Sequence, residues 1–237
     1  MTIPINLIIS GGGIKFYYLI GMKLFIDKLI KNSLLKIIKY SSISSGSIFI
    51  TLMACNIDSK EIIKKYRNCL SIKNISKLER IKFFLNSILP NNAHQLCNDR
   101  VYITTTLIYP KLMKKTFSKF DSKNNLINII LASSSFPIFI NQNIYYSFNN
   151  YNYIDGCFST NTPIVDYERP NLNIKLFFCG RINLFDIEKN NDKKEILTGY
   201  IDTKNFFLGN KIDSIEWYKN KSYLKRLLKY LLYVLKK

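Results

Sequence analysis

Three short stretches of this sequence hold residue types that together could cleave an ester. The first is Ser42-Ile43-Ser44-Ser45-Gly46, which follows an apolar run (Leu35, Ile37, Ile38) and precedes another (Ile48 to Ala54). A serine on a tight turn from strand to helix has its hydroxyl pushed outward above free helix N–H groups, the geometry of a hydrolase nucleophile. Taken alone the stretch is also a Ser-rich turn capping a helix. The second is Ser10-Gly11-Gly12-Gly13-Ile14-Lys15, whose consecutive N–H groups, clear of side chains, could bind an oxyanion. Phosphate binding is the rival reading, but neither G-x-x-x-x-G-K-[ST] nor G-x-G-x-x-G is matched. The third is Asp155-Gly156, a carboxylate that could take the serine proton and later activate water, or an ordinary Asp-Gly turn. The chain has one histidine. The base of a serine hydrolase built here is therefore expected to be a carboxylate.

The elements that must position these residues follow from periodicity and capping. Residues 3–9 read as an apolar strand delivering the glycine loop, and 14–31 as a helix. Strand 35–43 and helix 46–55 flank Ser44. Asp58 is a helix N-cap with Glu61 at the third helical position. Further helices are expected over 77–88, stopping before Pro90, and over 123–134 after Asp121-Ser122. Val101 to Leu107 is β-branched and strand-like, and Lys114 to Phe120 could pair back on it. Asn141 to Tyr153 reads as an aromatic, Asn-rich hairpin or loop, and Leu172 to Cys179 as a strand. Strands alternating with helices predict an α/β fold, a mainly parallel sheet covered on both faces.

Composition narrows the setting. The 237 residues, 47% hydrophobic and 22% charged, suit a folded α/β domain. Five scattered cysteines without a C-x-x-C pair read as reduced thiols, with no zinc or disulfide pattern. No uncharged apolar stretch approaches the roughly 18 residues of a membrane span, so a cytoplasmic chain, soluble or peripheral, is expected. Thirty-five Lys and Arg against 16 Asp and Glu give a net charge of +19, suited to an anionic membrane or to nucleic acid. The excess of lysine over arginine weakens the nucleic-acid reading. An AT-rich coding bias is an equally good source of the lysines.

The order of glycine loop, serine elbow and late Asp-Gly resembles the patatin-like phospholipase family. Gly11-Gly12-Gly13-Ile14-Lys15 stands in the place of its G-G-G-x-[RK] loop, Ser42-Ile43-Ser44-Ser45-Gly46 of its G-x-S-x-G elbow, and Asp155-Gly156-Cys157 of its D-G-[GA]. Asn161-Thr162-Pro163 matches its N-x-P, and Ala132-Ser133-Ser134-Ser135-Phe136-Pro137 its A-S-x-x-x-P segment. Leu89 to Leu96 and Val101 to Thr106 are similar to the animal adiponutrin-like branch. The resemblance implies a three-layer α/β/α core over residues 1–180 and a Ser–Asp dyad hydrolysing lipid esters without a cofactor or metal. Mapped here, Ser44 is the nucleophile and Asp155 the base. Gly11, Gly12 and Gly13 supply oxyanion donors, Lys15 adds a positive field, and Gly46 and Gly156 support the site. Three positions depart from the pattern: Ser42 for the first elbow glycine, Phe16 after Lys15, and Cys157 after Gly156. Each adds bulk near the site and none removes a reacting group. His94 could complete a triad, but a loop histidine with a structural hydrogen bond is the preferred reading.

Residues 181–237 form a C-terminal extension ending in Tyr218 to Lys237, with seven Lys/Arg and no acidic residue. Leu224, Leu227, Leu228, Leu231, Leu232 and Leu235 fall on one helical face. A helix over 218–237 could lie in a membrane or lipid-droplet interface or pack on the core, and packing is preferred. The implied partner is a lipid ester substrate. A catalytically impaired protein that only binds membrane or lipid droplets is the alternative. Oligomeric state, head group and acyl preference are not legible.

Overall fold

The computed structural model describes residues 2–11, 15–138, 140–163, 166, 168–176 and 192–218. In chain order, β1 (Ile3–Ser10), α1 (Phe16–Lys31), β2 (Leu35–Ile43) and α2 (Gly46–Ala54) come first. Three helices follow: α3 (Ser59–Leu70), α4 (Lys77–Ile88) and the short α5 (Ala93–Cys97). Then come β3 (Val101–Leu107), β4 (Met113–Phe117), α6 (Lys123–Ser133), β5 (Tyr146–Phe148) and β6 (Tyr151–Ile154). A 3-10 turn over Gly156–Phe158 precedes β7 (Asn171–Lys175), α7 (Asp192–Phe207) and β8 (Ile215–Tyr218). The strands form one mixed, mostly parallel central sheet in the order β5-β6-β3-β2-β1-β7-β8, with β4 paired on β3. At its centre β2 and β3 run parallel, Ile43 level with Thr104.

The chain divides into two compact units. The first draws on residues 1–8, 12–39 and 164–237. Its α1 is buried at almost every position from Phe16 to Ile26, as a helix apolar all round must be. Two glycines let α1 and α7 touch backbone to backbone: a Cβ at Gly21 would stand 2.0 Å from the Ile196 carbonyl oxygen, and one at Gly199 2.0 Å from that of Tyr18. The buried Tyr18 hydroxyl meets Asp202 at 3.1 Å and Ser214 at 2.9 Å, so this crossing leaves no polar group of that side chain unpaired.

The second unit, residues 9–11 and 40–163, contains β3 to β6 and α2 to α6. Asp58 caps α3, accepting from the Lys60 and Glu61 amides, and Ser76 with Glu79 closes a reciprocal capping box on α4. α2 is buried on every face, and α6 buries Leu126, Ile127 and the run Ile129 to Ser133. β3 is flanked by β4 and β6, both antiparallel to it.

The expected α/β architecture is present, and the strands at 101–107 and helix at 77–88 fall where the sequence puts them. Two helices were not anticipated. α7 has no apolar stripe because its buried face consists of Gly199, Thr203, Phe206 and Phe207. α5 is a single turn too short for a periodic signal, and it carries His94, which is therefore helical rather than in a loop. The expected helix over 218–237 lies outside the described residues except for Tyr218, which ends β8.

Candidate active site

Ser44 directly follows β2 and sits one residue before the N-cap of α2, at φ +54°. A non-glycine residue in this left-handed region is strained, and the strain persists only where neighbours over-determine it. Here hydroxyls do so. The Ser44 amide donates to Ser133 Oγ at 3.0 Å, and Ser133 in turn donates to the Thr104 carbonyl at 2.7 Å. The Ser44 carbonyl accepts from the Ser47 amide at 2.9 Å, Ser47 Oγ at 2.6 Å and Ser134 Oγ at 3.1 Å. Both backbone groups of the elbow are thus tied to α2 and to the end of α6. Gly46 is required sterically, since a Cβ there would lie 2.8 Å from the Ile9 carbonyl oxygen.

The Ser44 hydroxyl donates to Asp155 Oδ2 at 2.6 Å. Asp155 is fully buried, and its backbone is pinned: its amide donates to the Ser135 carbonyl at 3.2 Å and its carbonyl accepts from Thr106 Oγ1 at 2.9 Å. Its second carboxylate oxygen accepts from the Cys157 amide at 3.0 Å. Burial pushes the Asp155 carboxyl above the usual carboxylate range, opposed by the hydrogen bonds from Ser44 and Cys157. Gly156 clears the way for β3, because a Cβ there would meet the Thr104 carbonyl oxygen at 2.2 Å. A Cβ on Gly11 would come within 3.1 Å of Ser44 Cβ, so the start of the glycine loop lies against the serine.

Ser44, Asp155, Gly11, Gly46 and Gly156 are therefore brought together within one unit. Gly12 and Gly13 lie outside the described residues. Lys15, just before α1 in the other unit, is buried and close enough to Glu195 to pull down a carboxyl that burial pushes up. Of the three departures from the elbow and loop patterns, Ser42 is a regular, fully buried strand residue whose Oγ has no hydrogen-bond partner among the described residues. Phe16 opens α1 as a buried side chain. Cys157 is half-buried, its thiol pushed up by burial and by the neighbouring Asp155 charge. His94 Nδ1 is buried with no hydrogen-bond partner among the described residues, so the structural hydrogen bond expected of it is not found there, and the Asp155 carboxylate contacts Ser44 directly.

Sequence reasoning assigned no role to Ser133, Ser134 or Ser135. The run Ala132 to Pro137 was visible, but three serines at a helix end resemble an ordinary polar terminus. Cys55 and Cys97, remote in sequence, come within 3.9 Å in the core. No group of three metal-ligating side chains occurs among the described residues. A cavity of about 810 Å³ is lined by the first turns of α4, by Leu131 and by residues 141–147, and neither Ser44 nor Asp155 faces it.

The geometry can do one thing well. A serine hydroxyl aimed at a buried carboxylate of raised pKa is poised to lose its proton to that carboxylate while attacking an acyl carbon.

No family model matches the sequence. It does align with curated proteins. One is 1-acylglycerol-3-phosphate O-acyltransferase Pnpla3 of Mus musculus, 23% identical over 214 residues, 82% of this chain and 51% of that protein. Another is patatin-like phospholipase domain-containing protein 4 of Homo sapiens, 28% identical over 112 residues, 47% of this chain and 43% of that one. The chain spans about half the length of the curated relatives it matches. Among solved structures, VipD from Legionella pneumophila shares the fold with a TM-score of 0.53, covering 91% of this chain and 68% of its own at 10% identity.

Proposed function

The chain is patatin-like in sequence and in fold, and from that premise we propose that it is a lipid acyl hydrolase of the serine esterase type. The observation that carries the proposal is the 2.6 Å hydrogen bond from the Ser44 hydroxyl, on a strained elbow, to the buried Asp155 carboxylate. Ser44 Oγ attacks the ester carbonyl and its proton passes to Asp155. Collapse of the tetrahedral intermediate expels the alcohol, which takes that proton, and leaves an acyl-enzyme on Ser44. Asp155 then takes a proton from a water that attacks the acyl carbon and passes it to Ser44 Oγ as the fatty acid leaves. Gly11, Gly12 and Gly13 are the proposed oxyanion donors. The Ser44 amide is not among them, because Ser133 Oγ holds it. The chemistry needs no cofactor.

The substrates proposed are phospholipids or acylglycerols, met at a membrane or droplet surface. No described helix is long and apolar enough to cross a membrane, so the proposed contact is peripheral. The test is fatty-acid release from mixed phospholipid and acylglycerol emulsions by the full chain, by Ser44→Ala and by Asp155→Asn. Release by the parent alone is expected. Equal release by either variant contradicts the assignment. The name of the mouse relative motivates a second outcome, in which the acyl group passes to an alcohol acceptor rather than water. Adding a lysophospholipid and measuring acyl transfer against hydrolysis separates the two.

A further inference from the structure

β2 and β3 run parallel with Ile43 level with Thr104, so both point their carboxyl ends the same way. β3 continues to Leu107, about 10 Å further at the usual rise per residue, and then turns back into β4. The turn therefore projects beyond the carboxyl end of β2, which stops at Ile43 just before the nucleophile. Thr106 near its base donates to the Asp155 carbonyl, tying the hairpin to the site.

The tip of that hairpin is made of residues that a monomeric surface does not ordinarily display together. Tyr109 is 76% exposed, Leu112 65% and Met113 42%. Lys111 and Lys114 alternate with them, and no acidic residue occurs between Leu107 and Phe120. The neighbouring hairpin adds to the same end. Ile108 donates to the Asn152 carbonyl at 3.0 Å, which brings the exposed Tyr151 level with the tip.

We infer that the β3–β4 hairpin is an interfacial anchor that docks the site on an anionic lipid surface, with Leu112 and Met113 inserted among the acyl chains and Lys111 and Lys114 at the head groups. The chemistry favours lipid over nucleic acid. Aliphatic side chains at a loop tip have no use against phosphates and bases, whereas tyrosines flanking an aliphatic tip with lysines match the layering of a bilayer interface. The inference rests on the lipid-hydrolase reading for why a bilayer is the surface sought. It does not depend on Ser44 being reactive.

The experiment uses the full chain carrying Ser44→Ala, so that substrate is not consumed, with vesicles of phosphatidylcholine alone or mixed with phosphatidylglycerol. Sedimentation measures partitioning for that protein, for Leu112→Ser/Met113→Ser and for Lys111→Gln/Lys114→Gln. All these positions are exposed, so the fold is retained, and circular dichroism checks it. Expected is binding to the anionic vesicles, reduced at least about tenfold by the aliphatic pair, given the transfer free energy of two such side chains. The lysine pair reduces it by roughly tenfold or more on anionic vesicles and has little effect on neutral ones. In the Ser44 background, turnover of a soluble short-chain ester by the hairpin variants equals the parent's. Failure of that turnover in the parent counts against the hydrolase reading, whereas undiminished vesicle binding by both hairpin variants overturns the anchor. Absence of binding by the parent, or RNA displacing vesicles from the same residues, overturns it as well.

Discussion

The α1–α7 crossing and the Ser44 elbow both bring backbone against backbone through glycine, and they do so to opposite ends. At the crossing, Gly21 and Gly199 let two helices settle into contact, and the buried Tyr18 hydroxyl finds partners. At the elbow, Gly11, Gly46 and Gly156 clear space around a residue that is itself strained, and the surrounding layer is polar though buried: Ser42, Ser47, Thr104, Thr106, Ser133 and Asp155. One region minimises its local free energy. The other holds a buried carboxyl group and a left-handed serine in place at a cost the rest of the fold must offset.

The largest test of this contrast removes the reacting groups. Ser44→Ala and Asp155→Asn are each expected to lower ester turnover on the order of 10⁴-fold. Asp155→Asn should at the same time raise the melting temperature at pH 7. The folded-state pKa of Asp155 is raised, so the folded protein holds that proton more readily than the unfolded chain. Its contribution to stability is therefore favourable at low pH and is lost as pH rises through the folded pKa. The melting-temperature advantage of Asp155→Asn should shrink on acidification, while kcat/KM of the parent falls over the same window as the base is protonated. A melting temperature lowered by the amide would contradict the claim that the carboxylate is a burden at neutral pH.

Next come the glycines. Gly156→Ala must displace the Thr104 carbonyl and should cost about 1–3 kcal/mol together with activity. Gly21→Ala should cost a similar amount while the reactivity of each folded molecule is kept. Denaturant unfolding and turnover, measured on both, check the difference. Ser133→Ala frees the elbow amide and the Thr104 carbonyl. It is expected to lower kcat by roughly tenfold with KM nearly unchanged, at a stability cost of about 1 kcal/mol. The smallest effect belongs to Ser42→Ala, which removes a buried hydroxyl without a partner among the described residues and should stabilise by about 1 kcal/mol with turnover unaltered.

Much of this was legible in the residues because local signals and global fold agree. Asp58 announces α3 by its cap, Pro90 bounds α4, and the β-branched run of β3 has no competing helical period. The pairing of Ser44 with Asp155 is 111 residues long in sequence and could be anticipated only from the order of motifs, since neither stretch alone distinguishes chemistry from a turn. What escaped has a common cause. α7 meets α1 backbone to backbone at Gly21 and Gly199, with Phe25 against Tyr200 and Phe207, and the Ser133–Ser134 clamp acts through hydroxyls. In both places the closest approach is made by small or polar groups, to which hydrophobic periodicity is blind, and the buried aromatics of α7, Phe206 and Phe207, lie too near its end to set a period. The same blindness covers the β3–β4 tip, where apolar residues outside the core look like ordinary strand residues until their exposure is seen.

The most direct measurement is reaction of the purified protein with a fluorophosphonate probe, with the modified residue mapped by mass spectrometry. Such a probe needs an activated serine and no knowledge of the substrate. The account predicts modification at Ser44 and at none of the neighbouring serines, abolished in Asp155→Asn although that protein is at least as stable as the parent. Folded parent protein left unmodified, or Ser44 modified equally in Asp155→Asn, would contradict it.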